Sequence, residues 1–362
     1  MEPKLLYTIS GEKIECKEDW EKYRREECLS LLSRYVYGVR PSGIPKALDF
    51  SVEVPEREVG SILFKRIRIT VDSYPFPVRI FYKKSEKALP TVVYVMHTSQ
   101  QNSTDIENEP DNLFIPIEEI VNRGYAVCVI YFTDIYRDIL REVSYENSMF
   151  RVYSRPRAEM DDEEWASVSI WAYAASRVFD YLETDPIFDK KNVCIAGHSR
   201  GGKTALWCGA TDQRFSYVIS NSSGCMGAAM LRGKLGEHIK FITDNTDWFA
   251  KNLSRFADNE EMLPVDQHML LSLIAPRLLY IESNVLDEWS DPKSERRSAR
   301  LAGEVYALYG LKGAVLPDED KIETSVSYHE GSIGYHMSEG DHKIRREDWE
   351  RFLTFWEKKR GV

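Results

Sequence analysis

The spacing of apolar positions changes several times along the chain. Residues 18–35, EDWEKYRREECLSLLSRY, bring Trp20, Tyr23, Cys28, Leu31 and Leu32 near one face. That spacing predicts an amphipathic helix on the outside of the core, ended by Tyr37-Gly38-Val39-Arg40-Pro41. Between Leu48 and Tyr82 the period is two, and SVEVPEREV, ILFKRIRITVDS and FPVRIFYKK predict antiparallel strands with one wet face. TVVYVM is continuously apolar, hence an interior strand, and runs into the polar loop His97-Thr98-Ser99-Gln100-Gln101. IPIEEIVNRGYAVCVIYF predicts a helix, a break at Gly124 and a second interior strand. Residues 162–182 predict a long helix whose first-turn acids suit the positive end of its dipole. Further interior strands follow at residues 193–196, in FSYVISNSSG and in LIAPRLLYIES. Helices are expected at residues 203–209 and in SERRSARLAGEVYALYG. GSIGYHMSEGDHKI predicts a strand and loop, and REDWERFLTFWEKK the closing helix.

Interior strands alternating with helices imply an α/β fold: a mostly parallel central sheet covered by helices on both faces, with antiparallel N-terminal strands. No repeat, linker or low-complexity stretch divides the chain. One domain is therefore expected over residues 1–362, with an N-terminal helical and β extension at about 1–85. Residues 225–266, rich in Trp and Phe but aperiodic, suggest a cap-like insertion. The formal net charge of −10 argues against a nucleic-acid partner but not against an anionic substrate, because local basic residues can dominate a cleft. No apolar run approaches the ~20 residues that cross a membrane. The first residues lack the pattern of a secretory leader, and the six cysteines form no C-x-x-C. Reduced thiols and a cytoplasmic location are the expectation.

Chemistry concentrates at Gly197-His198-Ser199-Arg200-Gly201, a G-x-S-x-G between a predicted strand and helix. The flanking glycines let the chain turn tightly, and the Arg200 N–H at the helix start can receive an oxyanion. A serine nucleophile needs a base, and the base needs an orienting acid. In a hydrolase built on such an elbow, the acid follows a later strand and the histidine comes last. Asp287, Glu288 and Asp291 all follow LLYIES, and Asp287 stands nearest the strand end, whereas Asp291 before Pro292 suits a helix cap. His342 precedes the last helix. His336 lies in a strand pattern that suits a packed histidine. The two histidines have no further ligand at metal spacing, so neither metal nor cofactor is expected. A second oxyanion donor is expected near Thr98 or Ser99, and His97 can line the same pocket or serve structure. His268 and the acids at 161–164 suit structural roles.

Several stretches together resemble the glucuronoyl esterase family, especially its bacterial branch: SIWAYAASRVFDYLETDPIFDKKNVCIAGHSRGGKTALWCGA, FSYVISNSSGCMGAAMLRG, LPVDQHMLLSLIAPRLLYIES, DEWSDP and IGYHMSEGDHKIRREDWERFL. The resemblance runs from near residue 15 to the C-terminus. It implies an α/β-hydrolase fold and cofactor-free hydrolysis of a small-molecule or oligosaccharide uronic ester. The implied roles are Ser199 as nucleophile, Arg200 at the oxyanion site, His342 as base, Lys203 on sugar hydroxyls and Trp289 against the sugar ring. Gly201 departs from the family's asparagine. Asn221 and Ser222 stand where many members carry the acid, which directs attention to Asp287. Family members are typically secreted, so an intracellular one would meet short oligosaccharides. A carbohydrate deacetylase and a catalytically silent binding protein are the competing expectations.

Overall fold

The computed structural model describes residues 2–97, 100, 105–137, 148–154, 159–233, 235–318 and 321–362. Among these residues ten strands form one sheet: β1 (Leu48–Val59), β2 (Ile62–Val71), β3 (Tyr74–Tyr82), β4 (Leu89–Met96), β5 (Ala126–Tyr131), β6 (Phe188–His198), β7 (Tyr217–Asn221), β8 (Leu278–Asn284), β9 (Ser327–Tyr328) and β10 (Ile333–Ser338). Their order is β1-β2-β3-β5-β4-β6-β7-β8-β10-β9. The first three strands pair antiparallel and join β5 antiparallel. From β5 through β4, β6, β7 and β8 to β10 the pairing is parallel.

Period two in β4 separates two cores. Val93 and Val95 face one apolar cluster with the helices Ser167–Leu182, Arg200–Thr211 and Pro292–Leu308. Val92, Tyr94 and Met96 face a second, built on Trp349, Phe352 and Trp356 of the closing helix Arg346–Arg360. Helices therefore cover both faces, which explains why these strands read as unbroken apolar runs. The chain runs from β4 to β5 on one side and returns to β6 on the other. Such a reversal leaves a crevice at the carboxyl ends of the strands, where ligands bind in open α/β sheets.

The N-terminal helical stretch begins at Lys17 and contains π-helical turns over Trp20–Arg24 and Ser33–Tyr37. These turns rotate the apolar face. Tyr23, expected near the core, is exposed, while Arg24 and Arg25 are buried. Arg24 is satisfied by the carbonyls of Leu5 and Lys4 and by Glu27. The long helix begins at Ser167 rather than at 162, and its first turn carries no acid. The backbone of the preceding acids is used elsewhere: the Glu163 carbonyl accepts from Val39 N and that of Asp162 from Asn252 N. Residues 225–266 carry short helical pieces at Ile239–Asn245, Lys251–Phe256 and Glu260–Met262.

At the junction of these segments Gly38 has φ +85°, and a Cβ there would lie 2.2 Å from Trp165 Cα and 2.3 Å from Glu164 O. Gly38→Ala is expected to cost more than ~1 kcal/mol, through both the backbone conformation and the clash. Thermal denaturation checks this, and an unchanged melting temperature would show that the 164–165 backbone yields.

Candidate active site

β6 runs straight into the helix Arg200–Thr211, with Ser199 between them at φ 57° and ψ −124°. Such a conformation costs a non-glycine residue roughly 1–3 kcal/mol and persists only where its surroundings enforce it. Here they do. A Cβ on Gly197 would sit 2.1 Å from Gly201 O, and one on Gly201 would sit 2.8 Å from Val95 O. Ser199 N donates to Asn221 O at 2.8 Å, which fastens the turn to β7.

Three groups from three strand ends then meet. His342 Nε2 lies 2.8 Å from Ser199 Oγ, and His342 Nδ1 lies 2.6 Å from Asp287 Oδ2. Ser290 adds two contacts: its Oγ is 3.3 Å from His342 Nδ1, and its N–H donates to Asp287 Oδ1 at 3.2 Å. Asp287 is buried. Burial alone would raise its pKa, but the hydrogen bond and charge of His342 outweigh it and hold the carboxyl below its ordinary value. Asp287 thus stays ionised. Glu288 is exposed. Asp291 accepts from Ser294 N, Ser294 Oγ and Leu235 N and so caps the helix Pro292–Leu308. Of the three carboxylates after β8, Asp287 is the one joined to the histidine.

His198 and His97 lie beside this set, with ring centroids 4.7 Å between His198 and His342 and 5.7 Å between His97 and His198. Burial pushes His198 down to about 3 and His97 well below its ordinary value. Both are neutral at working pH and add no cation next to His342. His97 packs against His198 and Phe132 in the layer beneath the elbow. Thr98 and Ser99, expected near the oxyanion, lie outside the described residues. Arg200 is the first residue of its helix, and its guanidinium lies 4.9 Å over the Trp248 ring.

Lys203 is one turn further and buried, not a solvated helix residue. Its Nζ donates to Glu237 Oε2 at 3.0 Å and to Cys225 O, leaving the third of its three N–H groups for another acceptor. Trp289 is 49% exposed, meets Phe241 edge-on at 5.0 Å, and accepts Glu237 N at its carbonyl. Glu237 and Trp248 were not singled out in the sequence, because they fall in its aperiodic segment. Ser290 carries no signal in the sequence, being an ordinary serine next to the helix cap Asp291.

His336 is a packed strand residue. Its Nδ1 is 3.0 Å from Tyr280 Oη and its Nε2 2.9 Å from Asp348 Oδ1. Glu282, His336 and Asp348 bring three ligand-type atoms within 4.8 Å, a grouping invisible to linear spacing. The Asp348 oxygens already accept from Ser338 Oγ and Arg345 N as well. Burial raises Glu282 well above the carboxylate range and so favours its neutral form. His268 is likewise buried, on Pro3 O.

An open sheet with a strained serine elbow, followed in order by an acid and a histidine from later strand ends, defines a serine esterase of the α/β-hydrolase fold. A family model described as "Glucuronyl esterase, fungi" matches residues 63–310. The chain is 31% identical to carbohydrate esterase MZ0003 of an unknown prokaryotic organism, over 98% of this chain and 88% of that protein. It is 32% identical to the 4-O-methyl-glucuronoyl methylesterase of Podospora anserina, over 77% of this chain and 54% of that protein. The glucuronoyl esterase of Solibacter usitatus superposes with a TM-score of 0.88 at 30% identity, over 98% of this chain and 97% of that one. The chain belongs to the glucuronoyl esterase family.

Ser199→Ala is expected to lower ester hydrolysis by more than about 10³-fold while leaving the melting temperature close to that of the parent. Near-parental turnover would remove Ser199 as nucleophile. Asp287→Asn is expected to lower kcat roughly 10²–10⁴-fold, because the imidazole loses its orienting anion. A larger loss in Glu288→Gln or Asp291→Asn would move the acid elsewhere.

Proposed function

We propose that this enzyme hydrolyses esters formed on the carboxyl group of a glucuronoyl-type uronic acid. Ser199 Oγ attacks the ester carbon as His342 Nε2 takes its proton. Asp287 holds the imidazole and stabilises its positive charge. The Arg200 N–H, at the start of its helix, receives the oxyanion. His342 then delivers the proton to the departing alcohol, leaving an acyl-enzyme on Ser199. Water activated by the same histidine releases the free uronic acid, and no cofactor enters the balance.

The observation that carries the substrate class is the buried Lys203–Glu237 pair, one helical turn from the nucleophile. In a uronic ester the reacting carbonyl is attached to the sugar ring, so the ring lies on the acyl side of Ser199. The remaining Lys203 N–H can donate to a ring hydroxyl, the Glu237 carboxylate can accept from another, and Trp289 offers an apolar face. The Podospora anserina relative is named for this ester class, which supports the reading. An acetyl group presents only a methyl on that side and leaves the pair unused. Comparison of methyl glucuronate, methyl galacturonate and acetylated xylo-oligosaccharides as substrates of one preparation tests the assignment.

Lys203→Ala is expected to lower kcat/KM on methyl uronates about 10–100-fold, the range of a lost hydrogen bond from a charged donor. Hydrolysis of p-nitrophenyl acetate should change little. Because the substitution also strands buried Glu237, the comparison is made well below the variant's melting temperature. Equal loss on both esters, or none on either, would leave a generic esterase.

A further inference from the structure

The catalytic histidine is poorly held by packing: the His342 side chain is 40% exposed, whereas Asp287 is 3% exposed. Its orientation must therefore come from the loop that carries it. That loop is tied to the end of β8 on both sides of His342. Gly340 O accepts from Leu286 N at 2.9 Å, and Lys343 O accepts from Asn284 Nδ2 at 2.8 Å.

Asn284, the last residue of β8, is buried and fully committed. Nδ2 also donates to Ser222 Oγ at 2.7 Å, and Oδ1 accepts from Arg345 Nη1. Its backbone carbonyl accepts from Asp287 N at 3.1 Å. The orientation of the amide follows from its partners, since a carbonyl only accepts and a guanidinium only donates. One residue thus spaces the acid turn against the base loop, and through Ser222 it fastens both to the end of β7.

We infer that Asn284 is the positioning residue that sets the Asp287–His342–Ser199 geometry. It touches no reacting atom. Without its two donors, the Lys343 carbonyl is left unpaired and the base loop keeps the Gly340 tie but loses the one beyond His342, so that His342 shifts against the elbow. The inference rests on the serine, histidine and aspartate roles but not on the choice of ester.

The test uses Asn284→Asp, nearly isosteric and still an acceptor for Arg345 but lacking both donors, and Asn284→Ala. Turnover is measured on methyl glucuronate and p-nitrophenyl acetate, with the low-field proton resonance of the His342–Asp287 hydrogen bond read in parallel. Both variants should lose about 10–100-fold in kcat on both esters, the scale of a small misplacement of catalytic groups. KM should stay within about threefold of the parent, and the low-field resonance should shift or vanish. Should Asn284→Ala fail to fold, Asn284→Asp decides alone. A folded Asn284→Asp with parental kcat and an unchanged resonance overturns the inference, as does a loss carried by KM. If methyl glucuronate is not hydrolysed even by the parent, the uronate reading fails, and p-nitrophenyl acetate still decides the role of Asn284.

Discussion

The close approach of two backbones at the serine elbow is the constraint on which the site depends. The turn after β6 folds back so tightly that Gly197 meets the Gly201 carbonyl with no room for a Cβ, while Gly201 meets the Val95 carbonyl of β4. Only that approach lets the helix leave the sheet with Ser199 raised above it in a strained conformation. The strain is held by parallel pairing on both sides, β4 on one flank and β7 on the other. The helix in turn places Arg200 and Lys203 on the same side of the crevice.

Four parallel strands, β6, β7, β8 and β10, end at that crevice, and their registers set the distances within it. His198 pairs with Asn221, Asn221 with Glu282, and Asn284 with Ser338. Because side chains alternate across a strand, a one-residue slip anywhere in β7, β8 or β10 would turn the connecting polar side chains into the opposite core. The polar groups beneath the site therefore act as register markers. His198 is joined to Asn221, and Asn221 donates to Glu282, which directly follows the apolar run Leu278–Ile281 of β8. Burial of these groups is tolerated because each is hydrogen-bonded within the set.

Much of this was legible in the sequence because it rests on local pattern. The continuous run TVVYVM reads as an interior strand, and G-x-S-x-G between strand and helix reads as an elbow rather than an ordinary turn containing a serine. Asp287 stands nearest the strand end, and its carboxylate is the one that meets His342. What escaped notice depends on tertiary contact. Helical periodicity puts Tyr23 inside because it assumes an unbroken α-helix, and a π-helical turn rotates the face. The acids at 162–164 mimic a first turn and start the expected helix early, whereas the carbonyls of Asp162 and Glu163 accept from Asn252 and Val39. Glu237 lies 34 residues beyond Lys203, and no spacing rule links the two. Asn284 reads as an ordinary strand terminus until the loop around His342 is seen against it.

None of the six cysteines forms a disulfide, and five are buried. Burial pushes Cys28 and Cys128 up to about 12 and holds Cys194 and Cys208 above the ordinary thiol range as well. Only the thiolate is an effective nucleophile. These sulfurs are accordingly inert in the folded protein, and the protein is chemically asymmetric: Ser199, the proposed nucleophile, is partly exposed at the elbow while four sulfurs are sealed and protonated. Electrophiles that target activated hydroxyls will find Ser199 without competition from those four thiols. Alkylation of them would instead report that the core has opened, making the same chain a built-in gauge of its own unfolding.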